Sequence, residues 1–112
     1  MNKTTHNIDD TTIKKRIKSN VLDVDPEAEV WLYGSRSRGD AREDSDWDIL
    51  VLLDKPELDL KDYALAYPFH AMGADMGQYI SPIIYAKEEW EAQSFLPFYK
   101  NVERDKIELK WD

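Results

Sequence analysis

Residues 47–53 read WDILVLL, and from Ile49 onward every side chain is apolar. Successive side chains of an extended strand point to opposite faces. A run apolar at every position is therefore covered on both sides, as in the interior of a sheet with helices packed on it. The remaining segments fit that frame. Ile13, Ile17 and Val21 recur every four residues with Lys and Arg between them, and Asp9 to Thr12 offers N-cap residues ahead of them. An amphipathic helix is expected there, broken at Asp25-Pro26.

Glu29 to Tyr33 (EVWLY) reads as a short strand ended by Gly34. Ser35 to Gly39 has room for one or two helical turns, and Asp40 to Ser45 is a polar loop. After a turn at Asp54 to Glu57, the spacing of Leu60, Ala64, Leu65 and Tyr67 predicts a helix over Asp59 to Met72. Pro68 is expected to kink or end it, with Gly73 and Gly77 closing the region. Tyr79 to Tyr85 (YISPIIY) is a third strand, and Pro82 assigns it to an edge or a bulge. Lys87 to Gln93 is a short helix, and Phe95 to Lys110 a helix followed by a strand. The expected fold class is α/β (α+β), with one small mixed sheet flanked by helices.

The chain has 112 residues, which fits one domain. It has no cysteine, which excludes a disulfide framework and a thiolate metal site. No run approaches the ~20 apolar residues that span a bilayer, so no membrane association is expected. Met1 to Asp10 is polar and lacks the apolar segment of a signal peptide. The expected location is the cytoplasm. The net charge of −8 argues against a nucleic-acid partner, because phosphate contacts need clustered cations. Yet three of the five arginines, Arg36, Arg38 and Arg42, lie between Gly34 and Asp46. A cationic spot in an acidic chain suits one phosphorylated ligand better than a polymer.

That stretch reads GSRSRGDAREDSDWD, residues 34–48. A strand that stops at Gly and restarts as a helix presents unpaired backbone N–H groups, which with the helix dipole bind phosphate. Gly34 admits a phosphate without a Cβ in the way, Ser35 adds a hydroxyl, and Arg36 or Arg38 would offset a terminal phosphate. A plain turn with Ser35 as N-cap is the bland alternative. Asp46 and Asp48 stand two apart at the mouth of the central strand and are expected on one side, with Trp47 turned away. Two such carboxylates repel unless a cation lies between them. Mg²⁺ takes oxygen ligands, commonly one or two carboxylates plus substrate phosphates.

Gly34-Ser35, ten intervening residues, then Asp46-Trp47-Asp48 resembles the GS…DxD signature of the DNA polymerase β-like nucleotidyltransferases. GSRSRG followed by SDWDILV is similar to the single-domain bacterial branch, the minimal nucleotidyltransferases. The resemblance is carried by Trp31 to Leu53, with weaker likeness in SPIIYAKEEWE and LPFYKNV. It implies one nucleotidyltransferase domain over residues 1–112, of which residues 1–8, as a chain terminus, are expected to be a flexible tail. It implies transfer of a nucleoside monophosphate from an NTP, usually ATP, with Mg²⁺ as cofactor. Gly34 and Ser35 would hold the triphosphate, and Asp46 and Asp48 the metal. It further implies a protein partner, a HEPN-type toxin, for which the chain would be the antitoxin.

The family pattern normally includes a third carboxylate on the next core strand, and QYISPIIY has none. Ser81 or Gln78 occupies that region, and Asp75, just upstream, is the substitute the sequence offers as a catalytic residue. A missing third acid favours an alternative: an antitoxin or adaptor that binds nucleotide and partner with little or no turnover. Transfer to a small molecule would call for a second, acceptor-binding domain. His70, in YPFHAM, reads as a packed or surface histidine rather than a ligand, and His6 as inert. Trp31, Trp47, Trp90 and Trp111 read as core or interface. Phe95, Phe98, Tyr99 and Trp111 exceed the needs of a small core and form a candidate partner surface.

Overall fold

The structure is a computed structural model and describes residues 9–109. The expected tail and the readings on His6 and Trp111 lie outside them. The first helix, α1 (Asp10–Leu22), starts where Asp9 accepts a hydrogen bond from the Thr12 backbone N–H at 2.9 Å. It buries Ile13, Ile17 and Val21. Strand β1 (Glu29–Tyr33) leads through Gly34 into α2 (Ser35–Arg38), and β2 (Trp47–Leu53) follows the polar loop. Then come α3 (Leu60–Tyr63), α4 (Ala66–Met76), β3 (Ile80–Ala86), α5 (Lys87–Ala92), α6 (Pro97–Asp105) and β4 (Ile107–Glu108).

The sheet order is β3-β2-β1-β4. The β1–β2 and β1–β4 pairs are antiparallel and β2–β3 is parallel, so the sheet is mixed. The apolar run of β2 lies inside it. Trp47, Ile49, Val51 and Leu53 face one core with α1 and α4 residues such as Ile13, Ile17, Phe69 and Met72. Leu50 and Leu52 face the other with Trp90 of α5 and Val102 of α6. Each fully buried aliphatic side chain contributes about 1.5–3 kcal/mol, so β2 anchors the domain. Edge strand β3 accommodates Pro82, as expected.

The helix expected over Asp59 to Met72 is two. Pro68 has no N–H for the Ala64 carbonyl, and its ring crowds that carbonyl in a continuous helix. The break accordingly falls at Ala64 and Leu65, one turn upstream of the proline. Pro68 itself sits in the first turn of α4, where no intrahelical N–H bond is required. Gly73 lies within α4 rather than closing it. A Cβ there would approach the Gln78 carbonyl oxygen to 2.7 Å, so glycine lets the start of β3 fold against the helix.

Candidate active site

The site is built at the end of β1 and the start of β2. Antiparallel register sets Tyr33 opposite Asp48, so Gly34 leaves β1 beside the acidic strand. Gly34 has φ +76°, a left-handed value, and a Cβ at this position would overlap Asp48 Oδ2. Only glycine combines that backbone with that approach. The Gly34 carbonyl accepts from the N–H groups of Ser37 (3.1 Å) and Arg38 (3.2 Å) and from Ser37 Oγ (2.8 Å). The Ser35 and Arg36 N–H groups precede the first helical bond of this turn. The Gly-Ser turn and Asp48 therefore share one small space, as the motif predicts.

Asp46, the residue before β2, is near enough for its charge to act on Asp48. Parallel register sets Ser81 of β3 opposite Asp48, and Ser81 Oγ donates to Asp46 Oδ2 at 3.3 Å. The serine thus occupies the strand position where a third carboxylate was sought. Burial and the neighbouring Asp46 charge raise the Asp48 carboxyl above the usual aspartate range, with Arg38 opposing them. The Tyr33 phenol is pushed up to about 12 by burial, with Asp48 and then Tyr85 adding to the effect. The pocket thus disfavours added negative charge in the absence of a cation. Magnesium fits the donor set: two carboxylates at one mouth, with coordination left for phosphate oxygens. Among the described residues no group of three or more His, Cys, Asp or Glu forms a metal cluster. A metal here would thus rely on the ligand for part of its shell.

Two of the three motif arginines, Arg36 and Arg38, separate. The sequence offers Arg36 or Arg38 for a phosphate, and Arg36 is otherwise engaged. Its Nε and Nη2 donate to the Ser45 carbonyl at 3.2 and 2.9 Å, and Nη2 also reaches the Arg42 and Glu43 carbonyls. Its guanidinium lies 4.2 Å from the ring centroid of the buried Trp47. It closes the 40–45 loop and fixes the peptide preceding Asp46. Arg38 is the cation that acts on Asp48, held 3.4 Å from both Asp40 and Asp105.

Asp75 is not brought to the aspartate pair. Its Oδ2 lies 3.2 Å from Arg16 Nη1 of α1, and it lines the groove between α1 and α4. The helical position that carries it turns it away from the strand mouth. Gln78 is occupied as well, accepting from Trp47 Nε1 at 3.0 Å. The Ser81–Asp46 hydrogen bond and the loop-closing role of Arg36 depend on tertiary contacts. The lone hint in the sequence was the serine at the place of the missing acid.

Comparison with known proteins gives the family. Residues 11–109 match the family described as "Nucleotidyltransferase domain", and the chain belongs to that family. One similar solved structure is a toxin–antitoxin complex with AMP-PNP, at TM-score 0.62 and 21% identity over 88% of this chain and 73% of the other. A mutant of the toxin–antitoxin MntA-HpeT matches at TM-score 0.59 and 19% identity, over 88% and 73%. At such identities these structures attest the fold. No curated protein matches the sequence.

Proposed function

We propose that the protein transfers AMP from ATP to a hydroxyl of a partner protein in the cytoplasm, acting as the antitoxin of a HEPN-type toxin. The observation that carries this reading is the seating of Gly34 against Asp48, with Asp46 alongside. A turn suited to a triphosphate and a carboxylate pair suited to its cation open on one space. In this scheme the Gly34-Ser35 turn receives the β- and γ-phosphates through backbone N–H groups and the Ser35 hydroxyl. Arg38, half-exposed and held only by ion pairs at 3.4 Å, is available to offset phosphate charge. Arg36 keeps the loop closed so that Asp46 and Asp48 stay in place. Both carboxylates would hold magnesium, which when bound neutralises charge at the reacting and leaving phosphate oxygens. The toxin–antitoxin structures support the partner, and the one containing AMP-PNP supports the nucleotide.

The test uses ATP labelled at the α-phosphate, Mg²⁺ and the product of the neighbouring gene. The expected result is label and the mass of one AMP on the partner, lost with Asp46→Asn and with Asp48→Asn. Label transfer that survives both substitutions defeats the scheme. A specific observation favours a second reading, in which the chain binds nucleotide and partner with little turnover: Ser81, not a carboxylate, stands opposite Asp48. Tight complex formation with no change in partner mass is its signature.

A further inference from the structure

A cavity of about 350 Å³ lies between the start of β3 and α4, walled by Asp46, His70, Ala74, Gln78, Tyr79 and Ser81 among others. We propose that it is the acceptor pocket of the nucleotidyl transfer, and that His70 takes the proton of the attacking hydroxyl. This rests on the transferase reading above and deepens it.

Sheet order places β2 between β1 and β3. The Gly34-Ser35 turn ends β1 and flanks Asp48 on that side. In-line displacement requires the nucleophile to enter opposite the leaving group. With pyrophosphate departing on the β1 flank, the acceptor arrives from the β3 flank, and the cavity is there with Asp46 in its wall. Its volume is at the lower end of ligand pockets, about 300–1,000 Å³. It admits a small alcohol or one hydroxyl-bearing side chain, not a second nucleotide.

The wall also supplies a proton acceptor. The Ser81 hydroxyl is directed at Asp46, and the Gln78 amide oxygen is taken by Trp47. His70 is the one histidine among the described residues and hydrogen-bonds to none of them. Imidazole is the side chain most often used as a general base. In the step, the acceptor oxygen forms a bond to the α-phosphorus, and the bond from that phosphorus to the β-bridging oxygen breaks. Pyrophosphate leaves with the electron pair, and the hydroxyl proton passes to the imidazole and then to solvent. The chain thereby has a base where β3 carries no carboxylate.

The experiment measures pyrophosphate release from ATP and Mg²⁺ with three acceptors: water alone, N-acetyl-serine amide and N-acetyl-tyrosine amide. The two amides distinguish an aliphatic from a phenolic hydroxyl. AMP-PNP binding is titrated in parallel. His70→Ala and His70→Gln should slow release by about 10²–10⁴-fold with AMP-PNP affinity unchanged, and free imidazole should restore part of the His70→Ala rate. Ala74→Phe, filling the cavity from an exposed helix face, should suppress use of the amides and leave AMP-PNP affinity unchanged. A His70→Ala protein as fast as wild type overturns the proposal alone. So does a slow one that also loses AMP-PNP and gains nothing from imidazole. A wild-type chain that binds AMP-PNP and releases no pyrophosphate with either amide or with the partner protein overturns the transferase reading as well.

Discussion

Gly34 and Asp48 interlock: the strand register places Asp48 beside the end of β1, and its Oδ2 fills the space that a Cβ on residue 34 would need. The backbone of Gly34 is at φ +76°, which a side chain makes costly in its own right. Gly34→Ala should therefore destabilise the fold by about 1–3 kcal/mol and push the Asp48 carboxylate out of place. Denaturant unfolding checks the first effect. Titration with AMP-PNP and Mg²⁺ checks the second, with at least a tenfold loss of affinity expected. A variant as stable and as tight-binding as wild type removes the interlock from the account.

Asp48 itself is a group whose charge the fold resists. Burial first, and Asp46 second, raise its carboxyl. A carboxyl raised on folding binds its proton more tightly in the folded chain. Its contribution is full below the unfolded value and is lost as pH climbs through the folded one. Without metal, wild-type stability should fall as pH rises from the ordinary aspartate value through the raised one, and Asp48→Asn should lack that fall. At neutral pH the variant should melt about 2–5 °C higher than wild type, the gain typical of relieving a strained functional group. It should also lose metal-dependent nucleotide binding. Melting curves at stepped pH, with and without Mg²⁺ and nucleotide, decide this.

Arg36 and Arg38 of the motif should part company on substitution. Arg36 donates to carbonyls of the 40–45 loop and stacks on Trp47. Charge-assisted hydrogen bonds contribute about 1.5–3 kcal/mol, so Arg36→Ala should cost about 1–3 kcal/mol of stability and loosen Asp46. Arg38 makes exposed ion pairs, worth about 0–1 kcal/mol. Arg38→Ala should melt near wild type and weaken triphosphate binding about tenfold, since one charge-assisted contact is lost. Paired unfolding and calorimetric titrations of the two variants separate loop closure from phosphate contact. Equal behaviour of the two would refute the division.

These residues also mark how far the chain could be read without coordinates. WDILVLL, the short apolar run at Glu29 to Tyr33 and the four-residue spacing of Ile13, Ile17 and Val21 are local patterns. The sheet and its helical cover follow from them. The Gly-Ser turn and the aspartates were legible because close register at a strand mouth converts short sequence spacing into proximity. The sequence leaves Arg36 and Arg38 as alternatives for a phosphate because nothing local says that the loop will fold back onto the Arg36 guanidinium. Asp75 was offered as a third acid on nearness in sequence. Its partner Arg16 is 59 residues away, and the packing of α1 on α4 determines where it points. The Asp59 to Met72 helix missed its break because the ring of Pro68 acts one turn upstream of itself.

Ser81 offers the last test, because register puts it opposite Asp48 while its hydroxyl serves Asp46. Ser81→Asp would install a third carboxylate against two that already repel. Without metal, the added charge should lower the melting temperature by several degrees, and the loss should deepen as pH rises through the carboxylate range. Saturating Mg²⁺ with AMP-PNP should restore most of it, since a cation reverses the sign of the interaction. If Asp46 and Asp48 hold the reacting nucleotide, the variant should release pyrophosphate from ATP at least as fast as wild type, by up to about 10²-fold where base assistance limits the rate. A Ser81→Asp chain that is neither destabilised without magnesium nor rescued by it would mean that residue 81 does not face the aspartates.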